Sequence, residues 1–129
     1  MLKRFTLAIG AALLLVGILG FVPGMSTTDA GGHQMLFGIF MVGPFHNAFH
    51  LVSGVVGLLV ATIEKYARWY LRIFGLVYAV LALLGFTVGI GGVNMADHVL
   101  HAVVAALSLA VGFGVKIEGG NSMPVQPMA

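Results

Sequence analysis

The chain has 129 residues, 60% hydrophobic and 8% charged, with no cysteine and a formal net charge of +2. Soluble domains carry about 25% charged residues, so this composition excludes an ordinary soluble domain and points to one small integral membrane domain. Disulfides, thiolate chemistry and iron–sulfur ligation are excluded without cysteine, and no basic cluster with interleaved aromatics offers a nucleic-acid surface.

The first apolar run, Phe5 to Val22, has the length of one bilayer core, about 18 residues. It is longer than a signal-peptide h-region and lacks a small-x-small cleavage site, so it is expected to be retained as a transmembrane helix. Pro23 to Gly32 reads as a loop, punctuated by Pro23, Gly24, Gly31 and Gly32. His33 to Gly43 is apolar but too short to span, and reads as an interfacial segment or an extra turn. Gly43-Pro44 starts the second helix, expected over 44–63.

Glu64 to Arg72 is basic and rich in Tyr and Trp, as membrane-interface connections are. Glu64 there reads as the surface ion-pair partner of Lys65 or Arg68. A third helix is expected over 71–90, then a short turn at Gly91-Gly92-Val93. Asn94 reads as the cap of a fourth helix over 95–115, with Asp97 completing a variant capping box. The organisation is thus a transmembrane domain over 1–116 and a disordered cytoplasmic tail over 117–129.

Charge placement gives the orientation. In a four-span reading, Lys3, Arg4, Lys65, Arg68, Arg72 and Lys116 all fall on one side. The positive-inside rule makes that side cytoplasmic. The expected architecture is an all-α four-helix bundle in a bacterial cytoplasmic (inner) membrane, with both termini inside.

The same reading sends all five histidines outward. His46 and His50 lie in the first two turns of the second helix, and His98 and His101 in those of the fourth. The two pairs match in depth, His46 with His98 and His50 with His101. Polar groups at membrane depth face the bundle interior, because unpaired burial in hydrocarbon is costly. Small residues on the same helices (Ser53, Gly54, Gly57; Ala105, Ser108, Gly112) and the Gly85/Gly89 pair permit close backbone packing, or a slot for a flat cofactor or lipid tail.

Three readings of the cluster are open. One is a structural hydrogen-bond network of His46, Asn47, His50, Asp97 and His101, joined by Asn94 and His98, with Asn94 and Asp97 also capping their helix. The second is a transition-metal site of His46, His50, Asp97 and His101 for zinc, copper, nickel or iron. A b-type haem belongs to the same reading, and would take one histidine from each helix, His50 and His101. The third is a proton- or pH-responsive site. HExxH, GxSxG and P-loop patterns are absent, which leaves no catalytic residues to name.

His46-Asn47-Ala48-Phe49-His50-Leu51 with Gly54, and Asn94-Met95-Ala96-Asp97 with Leu100-His101, resemble a bacterial membrane family known as domain of unknown function 4383. Leu36-Phe37-Gly38-Ile39-Phe40 and Gly20-Phe21-Val22-Pro23-Gly24 fit the same pattern. The resemblance runs from about Leu13 to Gly112 and carries onto His46, Asn47, His50, Asn94, Asp97 and His101, leaving His98 outside. It implies four spans and supplies no activity. The expectation is a small non-enzymatic protein in the lipid bilayer, an accessory subunit of a larger assembly or a homo-oligomer. A metal or haem protein is the alternative, and an oligomeric transporter the third.

Overall fold

The structure, a computed structural model, describes residues 1–117. It is mostly helical, with four helices: α1 (Leu2–Leu19), α2 (Pro44–Val60), α3 (Glu64–Thr87) and α4 (Met95–Gly114). By length and apolar composition α1, α3 and α4 can each cross a membrane, whereas α2 is apolar but shorter. Of the tail expected over 117–129, residues 118–129 lie outside the described residues.

Between α1 and α2 the chain forms a three-stranded antiparallel sheet, which corrects the all-α expectation. Its strands are β1 (Ser26–Thr28), β2 (Gln34–Leu36) and β3 (Phe40–Val42). Ser26 pairs with Leu36, and Leu36 with Phe40. The segment 33–43 is therefore a strand hairpin and not a helical turn. Its tight bend puts Phe37 and Gly38 at positive φ (53° and 70°), and the Ile39 N–H closes it on the Leu36 carbonyl at 3.1 Å. Two successive positive-φ residues match the right-handed strand twist. The β1–β2 loop folds around the Asp29 carboxylate, which accepts from the N–H groups of Gly31 (2.8 Å) and His33 (2.9 Å).

α3 begins at Glu64, seven residues before the expected start at Leu71. Glu64 to Arg72 contains no glycine or proline, and an acid in the first turn favours the helix dipole. The basic side chains bend to α4. Arg72 donates to the Gly112 carbonyl at 2.9 Å and Arg68 to that of Val115, so the last carbonyls of α4 gain partners. Arg68 thus caps a helix instead of pairing with Glu64. α1 begins earlier than expected, at Leu2, because Leu2 packs on Ala67, Leu71 and Val111. It ends at Leu19, ahead of Gly20 and Pro23.

α1 packs chiefly on α2, and α3 chiefly on α4. The α1–α2 contact is backbone on backbone. A Cβ on Gly54 would sit 2.5 Å from the Leu14 nitrogen and 2.8 Å from the Gly10 carbonyl oxygen. Gly54 and Gly57 therefore face α1 and form no slot beneath the histidines. Between the two helix pairs runs an aromatic stack: Tyr70 on Phe74 (5.2 Å between centroids) and Phe74 on Tyr78 (4.2 Å). The Tyr70 hydroxyl donates to the Ser53 carbonyl at 2.9 Å, joining α3 to α2. The helix order places the sheet, the start of α2 and the start of α4 at one end of the bundle. The basic residues gather at the other end.

Candidate metal centre

Pro44 at the first position of α2 sets the helix so that His46 and His50 share a face. Their rings lie 4.4 Å apart. His101, in the second turn of α4, meets both: its ring is 5.8 Å from His46 and 6.3 Å from His50, edge-on to each. One ring nitrogen from each of these three residues lies within 4.8 Å of the other two. His50 and His101 are buried and His46 partly so.

The tautomer of His46 follows from its surroundings. Its Nδ1 lies 3.2 Å from the Met41 carbonyl, which can only accept, so Nδ1 carries the proton and Nε2 keeps the lone pair. That Nε2 is buried without a hydrogen-bond partner among the described residues, as is Nδ1 of His50. A backbone carbonyl holding one imidazole nitrogen while the other stays free is the usual support of a metal-ligating histidine. The support is itself anchored. The Met41 N–H donates to Asp97 Oδ2 at 3.0 Å, and the Asn94 side chain donates to the Ile39 carbonyl at 2.7 Å. The start of α4 thereby fixes β3, and β3 fixes His46.

Asp97 is accordingly not among the converging donors. Its Oδ2 also accepts from the Asn94 N–H at 2.9 Å, and Asn94 returns a bond from the Asp97 N–H at 3.1 Å, completing the capping box. Asn47 points the other way, into α1, where its side chain fills the space a Cβ would take on Gly20. His98 packs on α3, over Gly85 and 5.8 Å from the Phe86 ring, and does not pair with His46. The depth matching expected for the two helices therefore joins His101, not His98, to the α2 pair. The physical reason is angular: residues three apart on a helix differ by about 60° in direction, enough to send His98 to α3 and His101 to α2.

Tyr78 and Phe49 complete the surroundings, and sequence reasoning did not single them out. The Tyr78 ring lies 4.9 Å from His101 and its buried hydroxyl has no partner among the described residues. Tyr70, Phe74 and Tyr78 recur at i, i+4, i+8, an aromatic stripe visible in the sequence that marks this face of α3. A cavity of about 350 Å³ opens beside the three histidines, bounded by Phe45, Phe49 and Tyr78.

Fold and site together define a small, mostly helical protein with membrane-length apolar helices and a converging histidine triad. The chain belongs to the family described as Domain of unknown function (DUF4383), which it matches over residues 3–114. Searches of the curated proteins and of the solved structures give no match.

Proposed function

We propose that this protein is a transition-metal-binding membrane protein whose ion is held by His46, His50 and His101. One observation carries the reading: three buried or half-buried imidazoles converge within 4.8 Å, and two of their ring nitrogens, His46 Nε2 and His50 Nδ1, have no hydrogen-bond partner among the described residues. A hydrogen-bond network would need those nitrogens paired with one another or with Asn47 and Asp97. The Asn47 and Asp97 side chains face elsewhere. Leaving such groups unpaired in a low-dielectric interior costs about 1–3 kcal/mol each, which a bound ion removes.

Three neutral imidazoles suit zinc, copper, nickel or ferrous iron. Three protein ligands with a fourth position facing a cavity is the arrangement of open sites, whereas closed structural sites use four. With bonds of about 2.0–2.1 Å, tetrahedral donor atoms lie about 3.4 Å apart, so small side-chain rotations close the triad. A haem between His50 and His101 is disfavoured because the His46 ring stands beside both, where the macrocycle would lie.

The sequence expectation of an accessory subunit rests on the small size of the chain and on its small-residue helix faces, which favour helix association. Gly54 and Gly57 are occupied by α1 within the chain, which shifts the balance to the metal reading. We place the protein in a bacterial cytoplasmic membrane with four spans and both termini inside. The supporting observation is that Lys3, Arg4, Lys65, Arg68, Arg72 and Lys116 lie at one end of the helices and the sheet at the other. The triad then sits near the outer surface.

The test is elemental analysis of protein purified gently from native membranes. About one zinc, copper, nickel or iron per chain is expected, and it should be lost in His50→Ala and His101→Ala. A metal content unchanged by those substitutions overturns the reading.

A further inference from the structure

The proposed metal centre has an open side, and its surroundings are specific enough to name what binds there; this inference rests on the metal reading. Beside the histidines the cavity is walled by apolar and aromatic groups, and among the described residues that line it there is no Asp, Glu, Lys or Arg. A divalent ion on three neutral imidazoles keeps its full charge in that setting. An anionic oxygen donor is the natural fourth ligand, since a bound cation dominates the local field. At the cavity edge, Tyr78 is 2% exposed and its hydroxyl has no partner among the described residues. A hydroxyl there can donate a charge-assisted hydrogen bond to the second oxygen of a metal-bound carboxylate.

A second cavity, of about 420 Å³, shares Phe49 and Tyr78 with the first and follows the seam between α2 and α3 toward Val60 and Trp69. From Phe49 to Val60 the seam follows α2 for about 16 Å at 1.5 Å per residue. The polar groups along it include the Tyr70 hydroxyl and the Ser53 carbonyl, which satisfy each other. The seam is therefore a long apolar track that starts at a cationic centre. We propose that the site binds a single-chain fatty carboxylate, its head on the metal and Tyr78, its hydrocarbon tail in the α2–α3 seam. The head–tail match, a charged centre with a donor at one end and an apolar track at the other, favours this occupant over a second copy of the chain or a partner helix. Neither of those would supply an anion to the metal.

The experiment uses the full chain loaded with cobalt(II) in phosphatidylcholine nanodiscs and follows the visible d–d bands. Cobalt alone tests the metal reading: no bound cobalt sinks that reading and this inference with it. With cobalt bound, oleate should shift the bands at a concentration on the order of a hundredfold or more below that needed for acetate, which has the head without the tail. Methyl oleate, which has the tail without an ionisable head, should leave them unchanged. Tyr78→Phe should weaken oleate roughly tenfold. Val56→Trp, which fills the seam, should reduce oleate to the affinity of acetate. Equal potency of oleate and acetate, or a response to methyl oleate, overturns the proposal. So does a Val56→Trp protein that changes its oligomeric state while binding oleate as before, which would assign the seam to another chain.

Discussion

Removing the Asp97 carboxylate tests how the site is held. Asp97 is 3% exposed, and its Oδ2 accepts from the N–H groups of Met41 (3.0 Å) and Asn94 (2.9 Å). Hydrogen bonds to a charged acceptor contribute about 1.5–3 kcal/mol each, and the two share one oxygen and are not additive. Asp97→Ala should therefore cost about 3 kcal/mol of unfolding free energy. Asp97→Asn keeps an acceptor oxygen and should cost about half as much. The effect on metal is indirect, through β3 and the Met41 carbonyl that orients His46. Loss of such supporting bonds lowers affinity by about 10–100-fold, and does not abolish binding. The assay pairs denaturant unfolding in detergent micelles with a zinc competition titration for the wild type and both variants. If Asp97→Asn loses zinc as completely as His101→Ala, Asp97 is a ligand and the reasoning fails. It fails equally if Asp97→Ala leaves both stability and affinity unchanged.

Other outcomes follow from the same geometry. Gly54→Ala places a methyl 2.5 Å from the Leu14 nitrogen and should cost about 1–3 kcal/mol by forcing α1 and α2 apart, read by the same unfolding assay. His98→Ala should leave metal stoichiometry at the wild-type value, because His98 packs on Gly85 and Phe86 outside the triad; metal loss in that variant would refute the ligand assignment. The Asp29 carboxyl is held below the ordinary 3.8, chiefly by the His33 backbone N–H. The loop bonds that Asp29 accepts are then complete above the ordinary value and are lost as pH falls through the lowered one. Amide shifts of Gly31 and His33 should titrate with a midpoint below 3.8, and a midpoint above it would contradict the loop geometry.

The helices were legible because apolar runs of bilayer length leave few alternatives. Their ends were less so. Glu64 to Arg72 reads as a connection when charge is taken to mean an interface, yet its Arg68 and Arg72 extend α3 by capping α4. The sheet escaped notice because three-residue strands are too short to display alternation. The turn glycines Gly24, Gly32 and Gly38, spaced between Thr- and Val-containing runs, were the available signal. At the site, the His46/His50 pair follows from spacing alone. Which of His98 and His101 would join it depends on the rotation of α4, and Asp97, though four residues from His101, is drawn away by a strand the sequence did not announce. Tyr78 was hidden for a simpler reason: an aromatic stripe on a membrane helix looks like ordinary packing until its hydroxyl is found without a partner among the described residues.

The most direct test of the account is X-ray absorption at the zinc edge of zinc-loaded protein. Three imidazole nitrogens and one further light atom at about 2.0–2.1 Å are predicted, with one imidazole shell contribution lost in each of His46→Ala, His50→Ala and His101→Ala. A spectrum with fewer than three imidazoles, or one that stays the same in those variants, would contradict the triad.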